Sequence, residues 1–145
     1  MRCWHKDLIP FLPKSQLLAQ WRELNSIFKK QDNHILINYV YEYGKEHLYA
    51  YTQLVIQEYN NRGFKIKSWE NYNTYFSDID KNMIPSYNDI FYDIHNEDYL
   101  VECYFNLKEK YKCGQKDFSI LIWSAIRRMF GERVLEEVNI QLGDE

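Results

Sequence analysis

Residues 15–30, SQLLAQWRELNSIFKK, predict the helix around which the rest of the fold is organised. Four large apolar side chains recur in this stretch at spacings of three and four residues, which places them on one side of an α-helix: Leu17, Trp21, Leu24 and Phe28. Ser15 is a residue type that favours the position before the first helical turn. The pattern therefore predicts an amphipathic helix whose apolar side faces a core.

The opposite side of this helix carries small and polar residues: Gln16, Ala19, Arg22, Glu23, Ser26 and Lys30. The small side chains of Ala19 and Ser26 leave Glu23 unobstructed. An accessible carboxylate beside basic groups can act as an acid or base next to a phosphate backbone. On spacing alone, however, an ordinary solvated helix face with weak local ion pairs is favoured.

Further helices are predicted on both sides of a long irregular stretch. Residues 33–43 and 46–61 read as helices, ended by Gly44 and by the Asn61-Arg62-Gly63 run. Residues 64–90 are irregular apart from a helical turn near residues 69–76. A helix from Asn96 to Tyr111 stops at Gly114.

The last helix is predicted from Phe118 to Phe130, with Asp117 as its cap. Gly131 ends or kinks it, or residues 132–142 continue it. These patterns together predict an all-α fold, a compact single-domain helical bundle over residues 1–145 with one long irregular segment.

Composition and charge fit a soluble globular protein. Apolar residues make up 46% of the 145 residues and charged residues 27%. No apolar run is long enough to span a membrane, and the N-terminus lacks the apolar core of a signal peptide, so we expect a cytoplasmic protein. Residues 1–67 hold ten Lys and Arg against six Asp and Glu, and residues 68–145 hold eight against fifteen. A basic first half could bind polyanions, although two simply solvated faces explain the charge equally.

The cysteines indicate neither a disulfide framework nor a metal centre. Cys3, Cys103 and Cys113 lack the short spacings of a zinc site, and three cysteines suit a reducing compartment. We therefore expect buried free thiols, no metal and no cofactor.

The run of residues 17–24 with Phe28 resembles the first helix of the pyrimidine-dimer DNA glycosylases, the phage endonuclease V family. His34 fits the same alignment without a gap, and residues 61–66 resemble the end of that family's third helix. His47 matches a histidine of the segment before it. The start, Met-Arg-Cys-Trp-His, and the segment from residue 106 to 114 resemble a bacterial subgroup of short proteins. The resemblance is good over residues 1–36 and fragmentary over residues 37–66.

The resemblance implies a specific reaction. Family members excise a damaged pyrimidine through an imine between the N-terminal α-amine and C1′ of the sugar, and the strand then breaks by β-elimination. Here that nucleophile would be the amine of Met1, whose ordinary pKa of about 7.7–8.0 suits the task better than the value of about 10.4 for lysine. Glu23 matches the family's catalytic carboxylate. Arg22 matches a phosphate-contacting arginine, and we expect Arg2, Gln16 and Lys30 to bind DNA beside it. Two further family arginines are replaced here by Cys3 and Ser26.

The expected partner is damaged double-stranded DNA, bound by a monomer with no membrane association. A non-enzymatic helical module that binds nucleic acid or protein is the main alternative, and a different N-terminal-amine enzyme acting on a sugar or nucleotide is a third. Lys6 is an alternative imine-forming amine, provided that its pKa is strongly lowered. Trp4 is expected in the core rather than as a wedge between bases. Under the leading hypothesis, the chain start packs against helix 15–30 with its amine near Glu23.

Overall fold

The computed structural model describes residues 2–30 and 34–143. In these residues the chain forms five α-helices: α1 (Lys14–Lys30), α2 (Lys45–Asn61), α3 (Glu70–Tyr75), α4 (Glu97–Lys112) and α5 (Ile120–Gly143). Single 3-10 segments lie at Lys6–Phe11, Asn38–Tyr41, Lys81–Met83 and Tyr87–Asp89. The described residues contain no strand, so the all-α class predicted from the sequence is confirmed.

The apolar side of α1 lies in the core as its spacing predicts. Leu17 and Leu24 are completely buried and Phe28 nearly so, while Trp21 packs at the edge of the core. Phe28 contacts the rings of Tyr75 and Phe76 at centroid distances of 5.3 and 5.0 Å, which joins α1 to α3. Aromatic contacts thus replace the aliphatic packing that more often joins two helices.

The end of α2 follows the predicted glycine stop. Gly63 has φ of 75°, a left-handed conformation that costs glycine little. Its N–H donates to the Asn60 carbonyl at 3.1 Å, and the Phe64 N–H donates to the Tyr59 carbonyl at 2.8 Å. This pair of bonds is a Schellman motif, which satisfies the last carbonyls of the helix and turns the chain sharply.

The helix predicted over residues 33–43 is wrong. Residues 35–37 form a turn, and only Asn38–Tyr41 is helical, as a 3-10 segment. Residues 31–33 lie outside the described residues. The stretch is rich in β-branched and aromatic residues, which lose side-chain freedom in an α-helix. Its buried side chains, Ile37 and Val40, are three residues apart, the repeat of a 3-10 turn, while Ile35 is 84% exposed.

The predicted cap of the last helix is also wrong. Asp117 accepts hydrogen bonds from the backbone N–H of Ser15 at 2.5 Å and from the Ser15 hydroxyl at 2.9 Å. It therefore caps the start of α1, more than a hundred residues away in sequence. Helix α5 begins at Ile120. Its first turn is capped by Ser119 instead of Asp117, because the Ser119 hydroxyl oxygen accepts from the Ile122 N–H at 3.3 Å. The helix then continues through Gly131 to Gly143.

Helices α4 and α5 pack against each other, and α1 packs against α2 and α3. The first 3-10 segment contacts both α2 and α5 and so links the two groups. Of the predicted buried thiols, those of Cys3 and Cys103 are buried, but that of Cys113 is exposed. No helix in the described parts of the chain is long and apolar enough to cross a membrane.

Candidate active site

The chain start is held along α1 by side chains rather than by a neighbouring strand. The Arg2 backbone N–H donates to Oε2 of Glu23 at 3.3 Å. Gln20, one turn earlier, donates from Nε2 to the Arg2 carbonyl and accepts at Oε1 from the Trp4 N–H, both at 2.9 Å. The Tyr51 hydroxyl donates to the Trp4 carbonyl at 2.6 Å. Residues 2–4 are thereby packed against α1, as the leading hypothesis expects.

The other side of this segment is held from the C-terminal half. The Tyr99 hydroxyl of α4 donates to the Cys3 carbonyl at 2.5 Å. The Lys6 N–H donates to Nδ1 of His95 at 3.2 Å. Burial, with smaller contributions from His5 and Lys6, lowers the pKa of His95 to about 2, so its ring is neutral and can accept this bond. The first residues therefore lie between the two groups of helices.

Glu23 lies where solvent and the chain start meet. Its side chain is partly exposed, and the Arg2 N–H is bonded to one carboxylate oxygen. A carboxylate in this position can stabilise a positive charge that develops beside the chain start and can exchange protons there. Met1, the predicted nucleophile, lies outside the described residues.

The Cys3 thiol cannot take the nucleophile's role. It is buried, and burial together with the nearby Glu23 carboxylate raises its pKa to about 12. Since the thiolate is the reactive form, the thiol is inert at neutral pH. Trp4 is also buried and belongs to the core, as the sequence predicts.

Lys6 is not available as the alternative amine. Its residue is only 6% exposed, and burial lowers its pKa. Its Nζ donates to the carbonyls of Tyr87, Asn88 and Ile90 at 2.8, 3.2 and 3.1 Å. These three bonds use all the donors of an ammonium group, so Lys6 anchors the irregular segment instead of facing Glu23.

The predicted DNA-binding residues fall into two pairs. Arg22 and Lys30 are exposed on α1. Arg2 and Gln16, in contrast, have partners within the protein. The Arg2 guanidinium lies 3.6 Å from the Glu102 carboxylate of α4 and 5.7 Å from the centroid of the Trp4 ring. Gln16 donates from Nε2 to the Gln115 side chain at 3.2 Å.

A basic groove beside Arg22 was not predicted from the sequence. It has a volume of about 380 Å³, and Lys65 and Lys67, from the chain after α2, line it together with Arg22. Trp21 and Tyr59 form an aromatic part of its lining, with ring centroids 6.1 Å apart. The signal was the alternation Phe64-Lys65-Ile66-Lys67, in which the apolar members pack against the core and both lysines are exposed. We call these residues the Arg22 groove.

In the described part of the chain, no cluster of three or more His, Cys, Asp or Glu side chains could hold a metal ion. The chemistry that the site offers is that of a carboxylate beside the chain start and of cations on one side of α1. A cationic groove with aromatic walls is suited to a nucleic-acid backbone.

Comparison with known proteins finds one family to which the first half of the chain is similar. Residues 1–70 match the family model described as pyrimidine dimer DNA glycosylase. No curated protein and no solved structure matches the chain. The matched region contains Glu23, the chain start that binds it, and all three cations of the Arg22 groove. Residues 1–70 of this chain are therefore similar to the pyrimidine dimer DNA glycosylase family.

Proposed function

We propose that this protein is a DNA glycosylase with AP lyase activity that excises a damaged pyrimidine through an imine formed by the α-amine of Met1. The family match supports a glycosylase of the pyrimidine dimer class. One contact carries the finer proposal, the hydrogen bond from the Arg2 N–H to the Glu23 carboxylate. Only two carbon atoms separate the Arg2 amide nitrogen from the α-amine of residue 1, so this contact favours Glu23 as that amine's partner.

The proposed chemistry begins with nucleophilic attack. The neutral amine attacks C1′, and the base leaves with the electron pair of the glycosidic bond and takes a proton. Opening of the sugar ring, with a proton added to its ring oxygen, gives the imine. Loss of a proton from C2′ then expels the 3′ phosphate, and water finally releases the enzyme. Glu23 stabilises the cationic sugar and moves protons in these steps.

DNA binding is assigned to the exposed cations of α1 and the Arg22 groove. Arg22 and Lys30 contact phosphates, and Lys65 and Lys67 extend this positive surface. Arg2 and Gln16 hold partners within the protein, so they bind DNA only by exchanging those partners. In this proposal, residues 1–145 form a single domain that acts as a monomer in the cytoplasm.

Trapping with borohydride tests the proposal. A duplex that contains one abasic site is mixed with the protein, and borohydride reduces any imine to a stable covalent adduct. We expect the adduct with the wild-type protein and base excision from a duplex that contains a pyrimidine dimer. Glu23→Gln should reduce excision by roughly 100-fold or more while DNA binding is kept, because the substitution removes only the charge.

Glu136→Gln is the matched control, since it makes the same change at an exposed carboxylate of α5. This variant should excise at the wild-type rate. If the wild-type protein forms no adduct, or if Glu23→Gln excises as fast as Glu136→Gln, the proposed chemistry is wrong.

A further inference from the structure

Two completely buried polar side chains are hydrogen-bonded to the chain start. Gln20 and Tyr51 have no exposed surface, and their hydrogen-bond partners include three backbone groups of residues 2–4. Chain ends usually fray, and a buried polar group is costly unless it is hydrogen-bonded. Here both side chains are hydrogen-bonded to the terminal segment, and these bonds hold residues 2–4 in place against α1.

The geometry of Gln20 sets the register of the segment. Its amide binds the carbonyl of Arg2 with one end and the N–H of Trp4 with the other. A shift of the segment by one residue breaks both bonds at once. The Tyr51 hydroxyl donates to the Trp4 carbonyl at 2.6 Å and lies 3.0 Å from Oε1 of Gln20, so it contacts both the segment and the amide that holds it.

We infer that Gln20 and Tyr51 are positioning residues, whose buried amide and hydroxyl hold residues 2–4 so that the Arg2 N–H stays on Glu23. This inference rests on the proposed function, because it assigns the two side chains a role in placing its nucleophile. Neither side chain reaches the surface, so neither can touch DNA. Their effect on the reaction is therefore on the rate of imine formation and not on binding.

The test uses Tyr51→Phe and Gln20→Met, which remove the polar atoms and keep most of the volume. Thr52→Val is the matched control for Tyr51→Phe: it removes the buried hydroxyl of the next residue in α2, which donates at 2.7 Å to the Leu48 carbonyl. The single-turnover rate of borohydride-trappable imine formation is measured on abasic-site DNA, together with the dissociation constant. Amide hydrogen exchange at Arg2 and Trp4 is followed by NMR.

We expect Tyr51→Phe and Gln20→Met to slow imine formation about 10-fold or more, because small displacements of a nucleophile have large effects on rate. The dissociation constant for DNA should stay within about twofold of the wild-type value, since neither side chain is exposed for contact with DNA. Exchange at Arg2 and Trp4 should accelerate about 10-fold relative to amides of α5. Thr52→Val should match the wild-type protein in rate and in the exchange of residues 2–4.

The outcomes separate the inference from the function on which it rests. A wild-type protein that forms no adduct refutes the proposed function, and the assigned role with it. A reactive wild-type protein whose Tyr51→Phe and Gln20→Met variants match Thr52→Val in rate refutes the positioning role alone. Acceleration of exchange throughout the protein, with the rate lost equally in Thr52→Val, also refutes it, because the loss is then one of general stability.

Discussion

Replacing Arg22 by alanine tests whether the Arg22 groove holds the DNA backbone. Arg22 is exposed, so the substitution should change the free energy of unfolding by no more than about 0.5 kcal/mol. Each phosphate neutralised on B-DNA contributes about −0.9 to the slope of log affinity against log salt. The three cations of the groove therefore contribute about −2.7 when each contacts one phosphate, and two contribute about −1.8.

These slopes give a measurable difference in affinity. When the salt concentration rises from 50 to 200 mM, a protein with three phosphate contacts loses about 40-fold in DNA affinity, and one with two contacts loses about 12-fold. Fluorescence anisotropy with a labelled duplex, repeated at four or five salt concentrations, measures the slope directly. Arg22→Ala should make the slope shallower by about 0.9 and weaken binding equally on every sequence.

Arg128→Ala is the matched control, because Arg128 is an exposed arginine of α5 outside the groove. Its salt slope should equal that of the wild-type protein. If Arg22→Ala leaves the slope unchanged, or if Arg128→Ala changes it by the same amount, the groove is not the DNA-binding surface and the reasoning from its charge is refuted.

Three further predictions concern the amine, the α1 cap and a buried histidine. Acetylation of the α-amine of Met1 should abolish the borohydride-trapped adduct and leave the melting temperature unchanged in differential scanning fluorimetry. Asp117→Ala should lower stability by about 1 kcal/mol, or the melting temperature by about 3 °C, because it removes the cap at Ser15. His95 is neutral when folded and protonates on unfolding below pH 6.5, so the free energy of unfolding should fall by about 2 kcal/mol from pH 7 to pH 5. Urea titrations of the wild-type protein and of His95→Asn measure this change, which the variant should largely lose.

Each of these predictions has an outcome that contradicts it. An acetylated protein that still gives the adduct excludes the α-amine as the nucleophile. Losses for Asp117→Ala and Ser15→Ala that simply add in the double variant would show that the two residues do not interact. For His95 the sign follows from its lowered pKa: the unfolded chain binds more protons between pH 2 and pH 6.5, so stability must rise with pH there. Equal stability of the wild-type protein at pH 5 and pH 7 contradicts this account.

The helical part of the fold was predictable because its signals are local. The apolar spacing of α1 and the glycine stop of α2 depend on residues a few positions apart, and both are confirmed. The failed helix over residues 33–43 depended on the same kind of signal, but the core selects only Ile37 and Val40 from that stretch. Where burial needs one short turn, the local preference for a longer helix is overridden.

The candidate site divides in the same way. Sequence alone selected Glu23 and Arg22, since the helix face and the family resemblance lie in one continuous stretch. Tertiary structure decided three other features of the site. Asp117 caps α1, the Arg2 side chain points toward α4, and Lys65 and Lys67 line a groove with Arg22. These contacts join residues about 40 to 100 positions apart, and no local pattern encodes them, because they form only when separate helices bury their apolar faces against each other. The sequence by itself determined which helix presents the carboxylate, and the packing of the helices determined what lies against it.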